Sequence, residues 1–184
     1  MSAPDASAQR YALLGLGEIA LAGADFPICF AKDAETGRFD LIALLSLDLP
    51  RNLFWRDGGW RCLYVPQWAL MPTGERRERL TADLEAARVM TRRFAEMDLI
   101  RALELVLVSP DGKEHEISGL YSLSSAALAK LEVRQVVDLF REGHLAAATL
   151  MVASLTQLER LLQLRRLEPE ASGLDLRARL IERI

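Results

Sequence analysis

The chain has 184 residues, of which 51% are hydrophobic and 27% are charged, and its formal net charge is −3. This apolar share excludes wholesale disorder, and the length fits one domain. Because Lys and Arg (23) nearly balance Asp and Glu (26), the composition argues against a nucleic-acid-binding protein, whose surface is usually basic.

The chain begins with a small, polar segment, residues 1–9, which predicts a disordered N-terminus ahead of a single domain over residues 10–167. This start lacks the charged and apolar regions of a signal peptide. The longest uncharged stretch, residues 143–158, is shorter than the roughly 20 apolar residues of a membrane-spanning helix, so we interpret it as a buried helix. These features predict a cytoplasmic protein without a membrane span.

Two β-hairpins are predicted in the N-terminal half. The first joins the apolar runs at residues 26–31 and 39–47 through a polar loop that ends near a glycine. The second joins residues 52–55 and 60–65 through Asp57-Gly58. Asp-Gly between apolar runs is typical of a tight hairpin turn, since glycine tolerates the positive φ that such turns require.

A long amphipathic helix is predicted over residues 75–97, because apolar side chains recur there every three or four positions. The stripe consists of Leu80, Leu84, Ala87, Met90, Phe94 and Met97. Such a stripe suits either a coiled-coil seam for a partner or a surface helix packed on a sheet. The pattern lasts only about three heptads, which favours the packed helix.

The rest of the chain predicts one more hairpin, over residues 103–123 with a turn at Pro110-Asp111-Gly112, and then helices, with Gly143 as a helix stop. Residues 168–184 are predicted to form a C-terminal helix or a tail. The sequence thus indicates an α+β fold: a β-rich N-terminal half with hairpins, the long helix, a further hairpin and a helical C-terminal half.

One short motif resembles a cofactor site. Residues 15–20 match the dinucleotide-binding pattern G-x-G-x-x-A. However, the next strand-like run begins at Phe26, which leaves no room for the crossover helix that such a unit needs. We therefore predict a flexible loop or an irregular strand here, and no cofactor.

The sequence offers no trusted catalytic or metal-binding pattern. His115 and His144 lack cysteines or carboxylates at ligand spacing. Cys29 and Cys62 lie in apolar runs and are expected to behave as small hydrophobic residues; they could form a disulfide only if their strands pair. Whether the protein is an enzyme stays open, with a non-enzymatic protein favoured.

Aromatic residues are concentrated between residues 54 and 68. They are Phe54, Trp55, Trp60, Tyr64 and Trp68. The rings either fill the core or line an exposed platform for a peptide or partner protein, since Trp and Tyr are enriched at interface hot spots. Trp60, Cys62 and Tyr64 alternate and are expected to face the core together. Our candidate partner-binding residues are Trp55, Trp68, Phe54 and Arg51.

The helix predicted from His144 is apolar on nearly every side in its first half. A helix of this kind must be buried on every side. A domain of this size can bury it alone, or a second copy of the chain can cover one side. A homodimer is therefore one of two expected outcomes.

Several short motifs in this order resemble the SapC family of bacterial proteins. In the N-terminal half they are residues 26–31 (PICFA after Phe26), Thr36-Gly37-Arg38-Phe39, Asn52-Leu53-Phe54, Gly59-Trp60 and Tyr64-Val65-Pro66. In the C-terminal half they are Asp111-Gly112, Gly119-Leu120-Tyr121, Gly143-His144-Leu145 and Ser154-Leu155-Thr156-Gln157. The chain differs from the family pattern after Pro66, where the family's basic-aromatic segment is replaced by residues 67–72.

This resemblance implies a function only in outline. The family takes its name from surface-layer genes, and no established catalytic residues come with it. It implies an accessory protein that engages a protein or peptide partner in a bacterial surface-layer, uptake or protein-modification system. The alternative that it implies is an enzyme or enzyme subunit of unrecognised type, associated with flavin-dependent halogenase-like systems.

Overall fold

The computed structural model describes residues 6–70, 73–169, 171 and 173–181. The strands are β1 (Tyr11–Leu13), β2 (Ile28–Lys32), β3 (Phe39–Leu44), β4 (Trp55–Arg56), β5 (Gly59–Trp60), β6 (Ile100–Val108), β7 (Glu114–Leu123) and β8 (Asp175–Ile181). The α-helices are α1 (Ile19–Ala22), α2 (Glu75–Glu96), α3 (Ser125–Leu128), α4 (Val133–Arg141), α5 (His144–Ser154) and α6 (Gln157–Arg166). Short 3-10 turns are Ala6–Ala8, Leu16–Glu18 and Gln67–Leu70.

Within the described residues, six strands form one antiparallel sheet in the order β1-β3-β2-β7-β6-β8, and β4 pairs with β5 in a separate hairpin. Neighbouring strands of the sheet are antiparallel throughout. Helices and strands are segregated along much of the chain, so the α+β prediction is confirmed. All three predicted hairpins form, but the strands of the second are shorter than predicted, Trp55–Arg56 and Gly59–Trp60.

Local turn chemistry explains two of these hairpins. Asp57 and Gly58 have φ values of +51° and +75°, the pair of positive φ angles of a type I′ turn. At the β6–β7 turn, Gly112 has a φ of +81°, and the Ser109 amide donates to the carbonyl oxygen of Lys113 over 2.8 Å. These turns fix the register of the strands on either side.

Helix α2 buries the predicted apolar stripe and packs on β3. Leu80, Ala87, Met90 and Phe94 are buried, which supports the packed helix over the coiled-coil seam. Residues 41–47 of β3 and its continuation are buried without interruption. Because successive side chains of a strand point to opposite faces, both faces of this strand are covered.

The long C-terminal helix that the sequence predicts is divided into α5 and α6 at Leu155 and Thr156. Helix α5 buries Ala147, Ala148 and Met151 but leaves Leu150 exposed. One segment of the described residues, His144–Arg166, is long and apolar enough to cross a membrane by length and composition alone; 39% of its most apolar window is buried. The core helix of a soluble protein passes the same test.

The predictions for the two ends differ from the structure. Residues 1–5 lie outside the described residues, but Ala6–Ala8 form a turn, and the Asn52 amide donates to the carbonyl oxygen of Ser7 over 2.8 Å. In place of the helix or tail predicted for residues 168–184, β8 pairs with β6 and extends the sheet beyond residue 167. The apolar side chains of β8 alternate with a period of two. The run is too short for this pattern to distinguish a strand from a helix in the sequence.

Candidate partner-binding site

Residues 61–70, which we call the tethered segment, leave the small hairpin without continuing its strand. The sequence predicts a strand over residues 60–65, yet β5 ends at Trp60. The backbone amides of Leu63 and Tyr64 bond to the side chain of Asp25 instead of a neighbouring strand. Buried Pro66 then precedes the 3-10 turn Gln67–Leu70.

Asp25 is the first anchor of the tethered segment. Its carboxylate is 1% exposed, and its Oδ2 accepts hydrogen bonds from the amides of Leu63 and Tyr64, both over 2.8 Å. Its Oδ1 pairs with the guanidinium of Arg160, which also donates to the Arg61 carbonyl oxygen over 3.3 Å. A buried carboxylate is tolerated only with such partners, so the bonds fix the path of the segment.

Glu18 is the second anchor and is equally buried. Its Oε1 accepts from the Tyr64 hydroxyl over 2.7 Å and from the Gln67 amide over 2.8 Å. Its Oε2 accepts from the Gly15 amide over 2.8 Å. Burial, followed by the hydrogen bond to Glu18, raises the pKa of the Tyr64 hydroxyl, so this phenol remains a donor at neutral pH. Two carboxylates from the N-terminal helical turns thus hold the tethered segment along its length.

The glycines of the G-x-G-x-x-A motif serve close packing against α2. A Cβ atom at Gly15 would lie 1.9 Å from Asp83 Oδ2, and the Gly17 amide donates to Asp83 Oδ1 over 3.0 Å. The Asp83 carboxylate therefore fills the space that a pyrophosphate would require. It also accepts the hydrogen bond of the Gly17 amide that a pyrophosphate would need. The prediction of a loop or irregular strand is wrong, because these residues form a 3-10 turn that leads into α1.

Large apolar side chains of the tethered segment point into solvent. Leu63 is 97% exposed, Leu70 is 60% exposed and Trp68 is 37% exposed, while Ala69 between the last two is buried. Isolated exposed apolar residues are ordinary on protein surfaces. Here three of them lie on one short segment whose backbone is held by the buried carboxylates of Glu18 and Asp25.

A groove of about 540 Å³ adjoins the tethered segment. Gln67 and Leu70 line one side of it, and Arg76, Arg79 and Leu80 of α2 line another, together with Asp83. Arg79 pairs with exposed Glu75 over 3.2 Å, a contact that solvent weakens. The groove therefore offers apolar surface beside guanidinium donors.

The four residues that the sequence predicts for partner binding lie in different environments in the structure. Trp68 lies in the tethered segment. Trp55 is half-buried on β4, edge-on to Trp60 with 6.0 Å between ring centroids. Arg51 is exposed and ion-paired with Glu168.

Phe54 is a correction to this set. It is fully buried, with its ring centroid 4.6 Å from that of Phe26, so it belongs to the core and not to a partner surface. Trp60 packs against the core and is itself only half-buried. Trp55, nominated for partner binding, and Trp60, expected to face the core, are thus both half-buried.

Sequence reasoning missed the anchors and two of the displayed residues. Glu18 and Asp25 are isolated acids inside an otherwise apolar stretch. Because carboxylates are almost never fully buried unless paired, that isolation is a signal of a buried, partnered charge. Leu63 and Leu70 carry no comparable signal, since a leucine beside aromatic residues fits the core equally well.

The thiols of the two cysteines have raised pKa values. Burial raises the pKa of Cys29 to about 12, and burial with the Asp25 charge raises the pKa of Cys62 to about 11. Both cysteines are free thiols; Cys29 is buried in the core as a small hydrophobic residue would be, and half-buried Cys62 packs against the core. In the part of the chain that the structure describes, no three His, Cys, Asp or Glu residues are grouped to hold a metal ion.

Comparison with known proteins places the chain in a family. The SapC family model matches residues 2–71 and 75–161. No curated protein and no solved structure matches the chain. The family match covers most of the sequence, including both anchors, the whole tethered segment and every strand of the six-stranded sheet except β8. The chain therefore belongs to the SapC family.

Proposed function

We propose that this SapC-family chain is a non-enzymatic binding protein that holds a protein or peptide partner on the tethered segment. One observation carries the proposal: Leu63 is 97% exposed, although its own amide is fixed by the buried carboxylate of Asp25. A segment whose backbone is already fixed loses less conformational freedom when a partner covers it.

The displayed residues have the composition of an interface centre. Trp and other aromatic residues are enriched among interface hot spots, and a surrounding ring of weaker contacts excludes water from them. Trp68 supplies the aromatic side chain, Leu63 and Leu70 supply apolar area, and the neighbouring groove supplies the guanidinium groups of Arg76 and Arg79. A peptide with an apolar side chain next to a carboxylate fits this arrangement.

The biological setting is the less specific part of the proposal. The family resemblance suggests an accessory role in a bacterial surface-layer, uptake or protein-modification system, and we place the complex in the cytoplasm. The homodimer expected from α5 is a separate proposal. Light scattering at micromolar concentration tests it, and a monomer mass would contradict it.

Selection of peptides from a random display library against the immobilised chain tests the binding proposal. Affinities of the selected peptides are then measured for the chain with Leu63→Ser and Trp68→Ser. We expect each substitution to weaken binding at least about tenfold, the effect of losing roughly 1.4 kcal/mol. The controls are Val133→Ser and Phe140→Ser, which remove apolar side chains of α4 that are 81% and 72% exposed.

The controls decide how the result is interpreted. Unchanged affinity in the controls with loss in the tethered segment supports the proposal. Selected peptides that bind the Leu63 and Trp68 variants as well as the unmodified chain would overturn it, as would a library from which nothing binds after repeated selection.

A further inference from the structure

A second groove lies where the β2–β3 loop and the start of β3 meet the C-terminal half of α2. Its volume is about 280 Å³. Arg38, Phe39 and Asp40 line it from the loop and β3, and Arg88, Arg92 and Ala95 line it from α2. None of these residues belongs to the tethered segment or its groove, so this surface is independent of the proposed function.

The charges of this groove are unequally satisfied. Arg88 lies 3.6 Å from Asp40 and 3.4 Å from Glu85, so one guanidinium serves both acidic side chains of the groove. The guanidinium groups of Arg38 and Arg92 make no ion pair or side-chain hydrogen bond with the described residues. The groove therefore carries one net positive charge, and the guanidinium groups of Arg38 and Arg92, one from each wall, remain available to an anion.

The nearby carboxylate of Asp33 does not pair with the positively charged Arg38 of the groove. Asp33, in the same loop as Arg38, accepts hydrogen bonds from the Glu35 amide and from the amide and hydroxyl of Thr36. Those bonds chiefly lower the pKa of Asp33, and the charge of Arg38 contributes least among the causes. The Asp33 carboxylate thus serves the loop backbone, and Arg38 lines the groove.

The apolar wall of the groove is already in place. The Phe39 ring lies edge-on to Tyr121, with 5.0 Å between centroids, and to Phe30, with 6.3 Å. Lys32 Nζ lies 5.5 Å from the centroid of the same ring. These contacts fix the ring before any ligand arrives, and preorganisation of this kind lowers the cost of binding.

We propose that this groove binds a small organic anion with a flat apolar body. The acidic group lies between Arg38 and Arg92, where planar guanidinium groups suit a bidentate oxyanion, and the body lies against Phe39 and Ala95. The groove is slightly smaller than the roughly 300–1,000 Å³ of common ligand pockets. Its ligand is therefore a small molecule and not a folded partner.

Two matched probes test this assignment. The anionic probe is 8-anilinonaphthalene-1-sulfonate, and the neutral probe is N-phenyl-1-naphthylamine, which has the same aromatic body without the sulfonate. Binding is followed by the amide shifts of Gly37 and Ala95 in two-dimensional NMR spectra. We expect saturable shifts at both amides and an affinity for the sulfonate at least about tenfold greater than for the neutral probe.

Charge-removing variants complete the test. Arg38→Gln with Arg92→Gln should weaken sulfonate binding at least about tenfold and leave binding of the neutral probe unchanged. The matched control is Arg134→Gln with Arg141→Gln on α4, which removes the same charge from another exposed surface. Shifts confined to the tethered segment or α4, equal affinity of the two probes, or an equal effect of both double variants would overturn the proposal.

Discussion

The hydroxyl of Tyr64 donates a 2.7 Å hydrogen bond to the buried carboxylate of Glu18, 46 residues earlier in the chain. Burial and this bond together raise the pKa of the Tyr64 phenol. The same Glu18 oxygen also accepts from the Gln67 amide. One side chain therefore connects the N-terminal helical turn to both the middle and the end of the tethered segment.

Tyr64→Phe removes this hydrogen bond while it keeps the ring. We expect the free energy of unfolding to fall by about 2 kcal/mol, because hydrogen bonds to charged groups contribute roughly 1.5–3 kcal/mol. Urea denaturation measures the change. Tyr11→Phe is the matched control, since its ring is exposed, and it should leave the stability unaltered; equal effects of the two substitutions would contradict the anchoring role of Glu18.

Asp25→Asn tests the other anchor. Every partner of the two Asp25 oxygens is a donor, so the asparagine NH₂ group must face a donor whichever way the amide turns. We expect a loss of about 3 kcal/mol, the cost of breaking a buried ion pair. Hydrogen exchange at the Leu63 and Tyr64 amides should accelerate in parallel.

Asp57→Asn is the control for this substitution. Asp57 also pairs with an arginine, Arg61, but its side chain is 84% exposed, whereas Asp25 is 1% exposed. Exposed ion pairs contribute about 0–1 kcal/mol, and asparagine accepts the positive φ of this turn position. If Asp57→Asn destabilised the chain as much as Asp25→Asn, burial would not be the source of the effect.

Gly15→Ala probes the close packing of the glycine motif on α2. The new methyl group would collide with the Asp83 carboxylate and displace it from the Gly17 amide, which should cost about 1–3 kcal/mol as overpacking does. Gly59→Ala has open space around it and should change the melting temperature little. In a chain that already carries Asp83→Ala, Gly15→Ala should lose most of its effect; a full cost in that background would show that Asp83 is not the obstacle.

The pKa values of the thiols predict slow alkylation. Burial, with the Asp25 charge second, raises the pKa of Cys62 from 9.0 to about 11. At pH 8 its thiolate fraction is then about 100-fold lower than that of an unperturbed thiol, and the thiolate is the reactive form. The rate of iodoacetamide labelling, followed by mass spectrometry, should rise about tenfold per pH unit up to about pH 11.

A Cys62→Ser variant supplies the control for the labelling experiment. Its remaining thiol, Cys29, is fully buried, and burial raises its pKa to about 12. This variant should resist labelling until urea unfolds it. Rapid labelling of native Cys62 at pH 8 would contradict the raised pKa.

Much of the fold is predictable because its signals are local. Asp57-Gly58 and Pro110-Asp111-Gly112 specify their turns through backbone conformation, and the stripe of α2 specifies its buried face. Strand β8 is different, since Leu176, Ala178 and Leu180 alternate in a run too short to separate a strand from a helix. Its pairing with β6 depends on an edge that exists only after the sheet has formed.

The site is less predictable because its contacts are remote in sequence. A concentration of aromatic residues indicates burial or binding, but it does not show which rings are buried and which are exposed. In the structure Trp68 lies on the surface and Phe54 in the core. Apart from Gly15, the side-chain hydrogen-bond partners of Glu18 and Asp25 lie 38 to 135 residues away. No spacing rule connects an acid in a helical turn to the backbone amides of a distant irregular segment.

The ion pair between Asp25 and Arg160 has a consequence for synthesis of the protein. The tethered segment is translated early, but one of the groups that secures it is made near the end of the chain. A nascent chain still on the ribosome therefore carries Leu63 and Trp68 without their final support, and the surface that they form is complete only when α6 has docked. Recognition through this surface would distinguish finished molecules from unfinished ones.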